Sequence, residues 1–216
     1  SVKELETVLI SGNRLSLLLD DLFEIANLKI TKPTISPSPF RLQSIVGGVL
    51  DMFRYTINEN KVQLVNRVPD DVPVVQADQN RIIQVLYNLL HNSVKYTDEG
   101  EITVDARVEN DKVVVTISDT GIGMDEETVQ QIFDPYHQGR NTRNQSEGFG
   151  LGLNISKQLV ELHGEEISID SEKNKGTIAR FTLPISEEEI PEISATVKQF
   201  LPKKLPKKYS VEPVQG

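Results

Sequence analysis

A chain of 216 residues with 38% hydrophobic content has enough material for one ordinary domain, its packed core and an appendage. A formal net charge of −9 and a pI near 4.9 argue against broad nucleic-acid or anionic-membrane binding, since both need an excess of Lys and Arg. The absence of cysteine excludes disulfides, thiolate metal sites and thiol nucleophiles and fits a reducing cytosol, and no apolar run approaches the ~18 residues of a membrane span.

Residues 1–30 set Leu5, Val8, Leu15, Leu19, Leu22 and Ala26 at helical spacing, with Leu9, Leu18 and Ile25 alongside. This predicts a long helix whose wide apolar face implies a partner helix. Pro33 stops it, and Pro37 and Pro39 make residues 31–39 an extended linker. From Phe40 a compact α/β unit begins: a helix over 40–60, then short strands at 63–66 and 74–77. Asp78 caps a helix over 81–97. Strands at 102–108 and 113–118 form a hairpin around Asn110-Asp111, followed by a short helix over 125–132 and a polar, mobile loop over 134–148. A helix over 151–162 closes at His163-Gly164, and strands at 166–171 and 177–183 pair around Lys173-Asn174-Lys175-Gly176. Residues 185–216, with Glu187-Glu188-Glu189 and two lysine pairs, read as linker or tail. The expected class is α+β, a two-layer sandwich of helices on a mixed, largely antiparallel sheet, with the long helix in front.

The helix over 81–97 reads R-I-I-Q-V-L-Y-N-L-L-H-N-S-V-K-Y-T. Ile82, Leu86, Leu89, Leu90, Ser93 and Val94 share one mostly apolar arc, and Asn88, Asn92 and Lys95 share the other side. Asn88 and Asn92 stand one turn apart, so their amide oxygens suit a hard cation such as Mg²⁺, with Lys95 beside it as a phosphate partner. The plainer alternative is a solvated polar face. Gly148-Phe149-Gly150-Leu151-Gly152-Leu153 opens a helix, where unpaired N–H groups and the dipole favour a phosphate. It is neither a P-loop nor a dinucleotide fingerprint. Asp119 ends an apolar strand, so its carboxylate needs a donor; a purine amino group would serve, with Gly121 and Gly123 leaving room for the ring. The alternative there is a strand-end turn cap.

Taken in order, N-L-L-H-N-S-V-K-Y-T, D-T-G-I-G-M, I-F-D-P-Y, G-F-G-L-G-L and K-G-T-I-A-R-F closely resemble the boxes of the sensor histidine kinase catalytic domain, of the ATPase superfamily shared with DNA gyrase. The resemblance covers residues 40–184, and residues 1–30 resemble the second helix of the dimerisation and phosphotransfer domain that precedes it in such kinases. It implies the Bergerat-type ATP-binding fold, with ATP and Mg²⁺ as ligands. Asn88 and Asn92 would coordinate Mg²⁺, Lys95 would contact phosphate, and Tyr96 would flank the nucleotide. Asp119 would accept from the adenine amino group, with Gly121 and Gly123 shaping the base pocket. Phe133 and Tyr136 would sit at the base of a lid carrying Gln138, Arg140 and Arg143. Gly148, Gly150, Gly152 and Leu153 would form the phosphate-side hinge and helix start, while Gly176 and Thr177 close the pocket.

The resemblance further implies γ-phosphoryl transfer to a histidine, relay to a response-regulator receiver domain, a homodimeric parent, and a cytoplasmic domain whether or not that parent is membrane-anchored. Two positions depart from the family pattern: Phe149 replaces the usual Thr, and Glu165 follows Gly164 in place of a second Gly. His91, His137 and His163 read as surface or capping residues, so the acceptor histidine is expected outside this fragment. A nucleotide-sensing module without kinase activity and a gyrase-like ATPase are the competing readings. The latter is disfavoured because such hydrolases typically carry Glu where Asn88 stands.

Overall fold

The computed structural model describes residues 34–54, 57, 61–134 and 152–188. The predicted helix over 1–30, most of the predicted loop over 134–148 and the tail beyond 188 lie outside the described residues.

Among the described residues eleven elements follow in order: β1 (Ser38–Phe40), α1 (Leu42–Arg54), β2 (Val62–Asn66), β3 (Val75–Ala77), α2 (Gln79–Tyr96), β4 (Gly100–Glu109), β5 (Lys112–Asp119), α3 (Glu126–Gln131), α4 (Gly152–Leu162), β6 (Ile167–Glu172) and β7 (Gly176–Pro184). Five strands make the main sheet in the order β2-β4-β5-β7-β6. β2 runs parallel to β4 and every other neighbour is antiparallel, as the expected mixed sheet requires. Register puts Ala106, Val115, Phe181 and Ile167 in one row across the strands, and Val104, Ile117, Ala179 and Ile169 in another. These residues all join the core, so one sheet face is apolar and α1, α2 and α4 bury their own apolar stripes with it. Thr103, Asp105, Thr116, Ser118 and Arg180 alternate with them on the opposite face.

Local chemistry fixes the ends of these elements. Asn110 and Asp111 both take left-handed φ, 48° and 61°, which lets a two-residue turn match the twist of β4 and β5. The Asp78 carboxylate accepts from the N–H of Asn80 at 3.1 Å and Arg81 at 3.3 Å at the start of α2, and from that of Ser36 at 2.9 Å. Burial works against its ionisation, but the donors from Ser36, Arg81 and Asn80 outweigh it and hold Asp78 below the ordinary carboxylate range. α4 ends with Gly164 at φ 74°, its N–H on Glu161 O, while the Glu165 N–H reaches back to Val160 O. Glu165 then turns its carboxylate inward to Lys112 Nζ at 2.9 Å and to the Thr182 hydroxyl. The departure from Gly-Gly thus supplies an ion pair between the segment after α4 and the sheet, with the carboxylate buried and the lysine reaching toward solvent.

Apart from shifts of one or two residues, three boundaries differ from the sequence reading: the helix expected over 40–60 ends at Arg54, and the fold runs past its expected limit at each end. Ser38–Phe40, expected to be the end of the linker and the first residue of the following helix, forms a strand antiparallel to β3, with Pro39 opposite Gln76. An edge strand tolerates prolines because an extended backbone without an N–H still fits there. Past Pro184, where the tail was expected to start, Ile185 bridges Val75 and Ser186 N–H donates to Val74 O at 2.8 Å. The fold is thereby closed at both ends of the same short sheet.

Gly48 is exposed in the interior of α1, and a Cβ built on it meets nothing within 4 Å. Gly48→Ala is therefore expected to stabilise the fold by about 0.5–1 kcal/mol, because it removes unfolded-state freedom without a clash. Urea unfolding checks this: the midpoint should rise with an unchanged m-value.

Candidate functional site

The polar side of α2 meets the beginning of α4. Asn88 Nδ2 donates to Gly152 O at 3.3 Å and lies 3.5 Å from Ser156 Oγ, which itself donates to Gly152 O at 2.8 Å. With its nitrogen so engaged, the amide leaves Oδ1 as an acceptor. Asn92 is half-exposed one turn later, and Lys95 Nζ lies 5.1 Å from the centre of the Tyr96 ring. α4 offers the N–H groups of its first turn. Leu153 packs its side chain against the core, so only its backbone is available there.

The second cluster centres on Asp119, half-buried at the end of β5. Oδ1 accepts from Gly121 N–H at 3.0 Å and Thr177 N–H at 3.2 Å, while Oδ2 accepts from the Ser93 hydroxyl at 2.9 Å. Burial pushes this carboxyl above its ordinary value; the donors from Gly121, Ser93 and Thr177 act the other way without cancelling it. Thr177 also pairs its hydroxyl with Ser171 Oγ at 2.9 Å, and Ser171 accepts from Met124 N–H at 2.9 Å.

The glycines beside Asp119 have a different cause from the one expected. A Cβ on Gly121 would stand 2.3 Å from Tyr96 O, and one on Gly123, at φ 58°, would stand 2.0 Å from Glu172 O. Backbone packed against backbone excludes a side chain at both positions, so room for a purine ring is not what demands glycine. Phe133, expected at the base of the lid, accepts at its carbonyl from Asn154 Nδ2 at 2.8 Å, and Lys157 Nζ lies 5.3 Å from its ring centre. It is thereby fastened to α4. Tyr136, Gln138, Arg140, Arg143, Gly148 and Gly150 lie outside the described residues.

Two of the three histidines have structural surroundings. His163 Nε2 accepts the Asp78 N–H at 3.0 Å and Nδ1 stands 2.7 Å from Leu159 O, so the neutral ring with the proton on Nδ1 joins α4 to the start of α2. His91 is exposed and stacks on Tyr87 at 6.1 Å, and His137 lies outside the described residues. Sequence reasoning missed Ser93, which it grouped with the apolar arc of α2. A lone hydroxyl in an apolar stripe was the available signal, since a buried polar group needs a partner.

A cation is tested by the donors on α2. Among the described residues no cluster of His, Cys, Asp or Glu is suited to hold a metal alone. Asn88 and Asn92 are neutral oxygen donors, which fit an ion that keeps most of its water and arrives with a phosphate ligand.

Asn in place of Asp119 can keep Oδ1 as acceptor for both backbone N–H groups and turn Nδ2 toward the Ser93 oxygen. The raised carboxyl means that the folded state binds the proton more tightly than the unfolded chain, so stability falls as pH rises through that window. Asp119→Asn is therefore expected to be at least as stable as wild type at neutral pH, with the difference vanishing below the ordinary value of 3.8. Thermal unfolding across pH checks it. Thr97 Oγ1 is buried with no hydrogen-bond partner among the described residues, so Thr97→Val should add about 1 kcal/mol in the same assay.

Residues 77–187, just over half of the chain, match the family described as histidine kinase-, DNA gyrase B- and HSP90-like ATPase. The autoinducer 2 sensor kinase/phosphatase LuxQ of Vibrio cholerae is 35% identical over 198 residues, which is 89% of this chain and 23% of that protein. The chain spans from 23% to 44% of the length of such curated relatives. Full-length ShkA, solved in complex with AMPPNP, shares the fold with a TM-score of 0.75 at 24% identity, over 88% of this chain and 40% of that one. Histidine kinase ThkA, solved in complex with the response regulator protein TrrA, gives a TM-score of 0.66 at 26% identity, over 84% of this chain and 51% of that one. The mixed sheet and the helices packed on it are thus those of a known ATP-binding fold, and the chain belongs to the histidine kinase-, DNA gyrase B- and HSP90-like ATPase family.

Proposed function

We propose that this chain is the ATP-binding catalytic domain of a sensor histidine kinase. It takes Mg-ATP and passes the γ-phosphoryl group to a histidine on a phosphotransfer helix, for relay to an aspartate of a response-regulator receiver domain. The observation that carries the reading is the pairing of an accepting carboxylate at Asp119 with the amide stripe of α2 and the start of α4, within a chain similar to kinases along most of its length. The parent is proposed to be a homodimer, with this domain in the cytoplasm.

In this role Asp119 Oδ2 accepts from the adenine amino group and Tyr96 flanks the base. Asn88 and Asn92 would hold Mg²⁺ through their amide oxygens, and Lys95 would contact a phosphate. Backbone N–H groups at Gly152 and Leu153 would hold the phosphates, Gly148 and Gly150 belonging to the same glycine-rich stretch of sequence, while Thr177 would close the adenine side and Phe133 the lid side. Mg²⁺, when bound, supplies charge neutralisation at the phosphates. The imidazole nitrogen forms a bond to phosphorus as the bond to the bridging oxygen breaks, and ADP leaves. Imidazole is itself the nucleophile, so positioning is the domain's main task. Both ring nitrogens of His163 are occupied by backbone groups, which argues against His163 as the acceptor.

Mg-ATP at a hundredfold excess over its dissociation constant should add about 2.7 kcal/mol to the stability of the chain. Asn92→Ala should remove most of the Mg²⁺-dependent part of that gain. Incubation with labelled ATP and a separately made phosphotransfer helix should place acid-labile label on the helix and none on the chain alone. Nucleotide hydrolysis at the same rate with and without the helix, leaving the helix unlabelled, would overturn the kinase reading in favour of an ATPase.

A further inference from the structure

We infer that Ser93 is a positioning residue for adenine recognition: its hydroxyl, donated to Asp119 Oδ2, fixes the carboxylate oxygen that meets the base. The inference rests on the reading of Asp119 proposed above and deepens it by naming the group that prepares that atom. Oδ1 is already occupied by the N–H groups of Gly121 and Thr177, so Oδ2 is the oxygen left for a ligand. Its protein partner is the Ser93 hydroxyl at 2.9 Å. One acceptor direction on Oδ2 then remains, aimed by the bond that fills the other.

Ser93 is 6% exposed and lies on α2 between Leu89 and Leu90 on one side and Thr97 on the other, all buried. Its χ1 freedom is therefore small, and α2 itself is held by its cap at Asp78. The same hydroxyl favours the ionised carboxylate. Burial favours the protonated form, and Ser93 is one of the neutral donors that oppose it. A protonated Asp119 whose hydroxyl hydrogen lies on Oδ2 no longer accepts from an amino group there.

Charged and titratable groups on the elements packed around Asp119 are engaged elsewhere. On α2, Lys95 lies over Tyr96; on β4, Glu101 pairs with Arg67. On β6 and β7, Glu172 pairs with Lys175, and Arg180 pairs with Asp170. Asp125 accepts from Thr128 N–H and feels Lys173. Burial and neutral donors alone displace Asp119, so removing one donor is expected to appear directly in its titration.

The test measures binding of ADP and of inosine diphosphate, which lacks the amino group, to wild type, Ser93→Ala, Ser93→Thr and Asp119→Asn between pH 5 and 8, in the 216-residue chain. Ser93→Ala should weaken ADP severalfold, up to about tenfold, at pH 7.5 while leaving inosine diphosphate nearly unchanged. Its ADP affinity should also decline at a higher pH than that of wild type as the solution is acidified. Ser93→Thr keeps the hydroxyl and should restore both properties. A loss equal at every pH and for both nucleotides would make Ser93 a packing residue only and overturn the inference. Wild-type behaviour of Ser93→Ala beside a defective Asp119→Asn would also overturn it, while leaving the adenine reading intact. Full ADP affinity in Asp119→Asn would remove the adenine reading itself, and this inference with it.

Discussion

The Asp119 carboxylate joins three elements that sequence separates widely. Its oxygens take one donor from α2, one from the start of β7 and one from the turn that follows its own strand. Gly176 opens β7 at φ 100°, and a Cβ there would stand 1.9 Å from Asp119 O. The backbone at this point can approach so closely only because residue 176 is glycine. A carboxylate in this place costs desolvation, and the three donors reduce that cost without abolishing it. What remains is an acceptor held in register with the sheet and still short of a partner, which is a useful state for a group that meets a ligand.

α2 supplies the other half of the arrangement because it is amphipathic in an unusually divided way. Ile82, Val85, Leu86, Leu89 and Leu90 are buried against the sheet and α1, so the helix cannot rotate without exposing them. That constraint fixes Asn88 and Asn92 on the side away from the core. Asn88 is then pinned a second time, through its nitrogen, to the opening residue of α4. His163 ties the far end of α4 to the start of α2 through Asp78. α4, bonded at one end to the middle of α2 and at the other to its start, keeps the amide stripe and the helix opening at a constant separation, as a site that works by positioning demands.

Most of this was legible from side-chain periodicity. The arc of α2, the Asn110-Asp111 turn and the closure of α4 at Gly164 follow from local rules, and the structure has each of them. Ser38–Phe40 was not legible, because a three-residue strand with proline at its centre carries no alternation and gains its partner only when β3 is brought alongside. Ser93 was hidden for a related reason. Its meaning depends on a carboxylate 26 residues further on, and no pattern within α2 reveals it. The glycines at 121 and 123 were found but misread, since a sequence shows that a side chain is excluded without showing what excludes it.

Charge decides how such a site can hold a polyanion. The chain as a whole carries −9 and offers no general attraction to phosphate. Among the described groups, those that favour an anion are local: Lys95 on α2, the N–H groups at the start of α4, and Lys157 near Phe133. The oxygens of Asn88 and Asn92 add no charge, so on their own they bind a divalent ion weakly and leave its charge almost undiminished. A pair of carboxylates in their place would bind the ion more tightly but neutralise it before any phosphate arrived, and would repel the phosphates once it was gone. Neutral amides therefore suit a cation that enters and leaves with its nucleotide. In the proposed role this keeps the ion's charge available to the transferring group, which leaves base recognition to Asp119 and to the hydroxyl that prepares it.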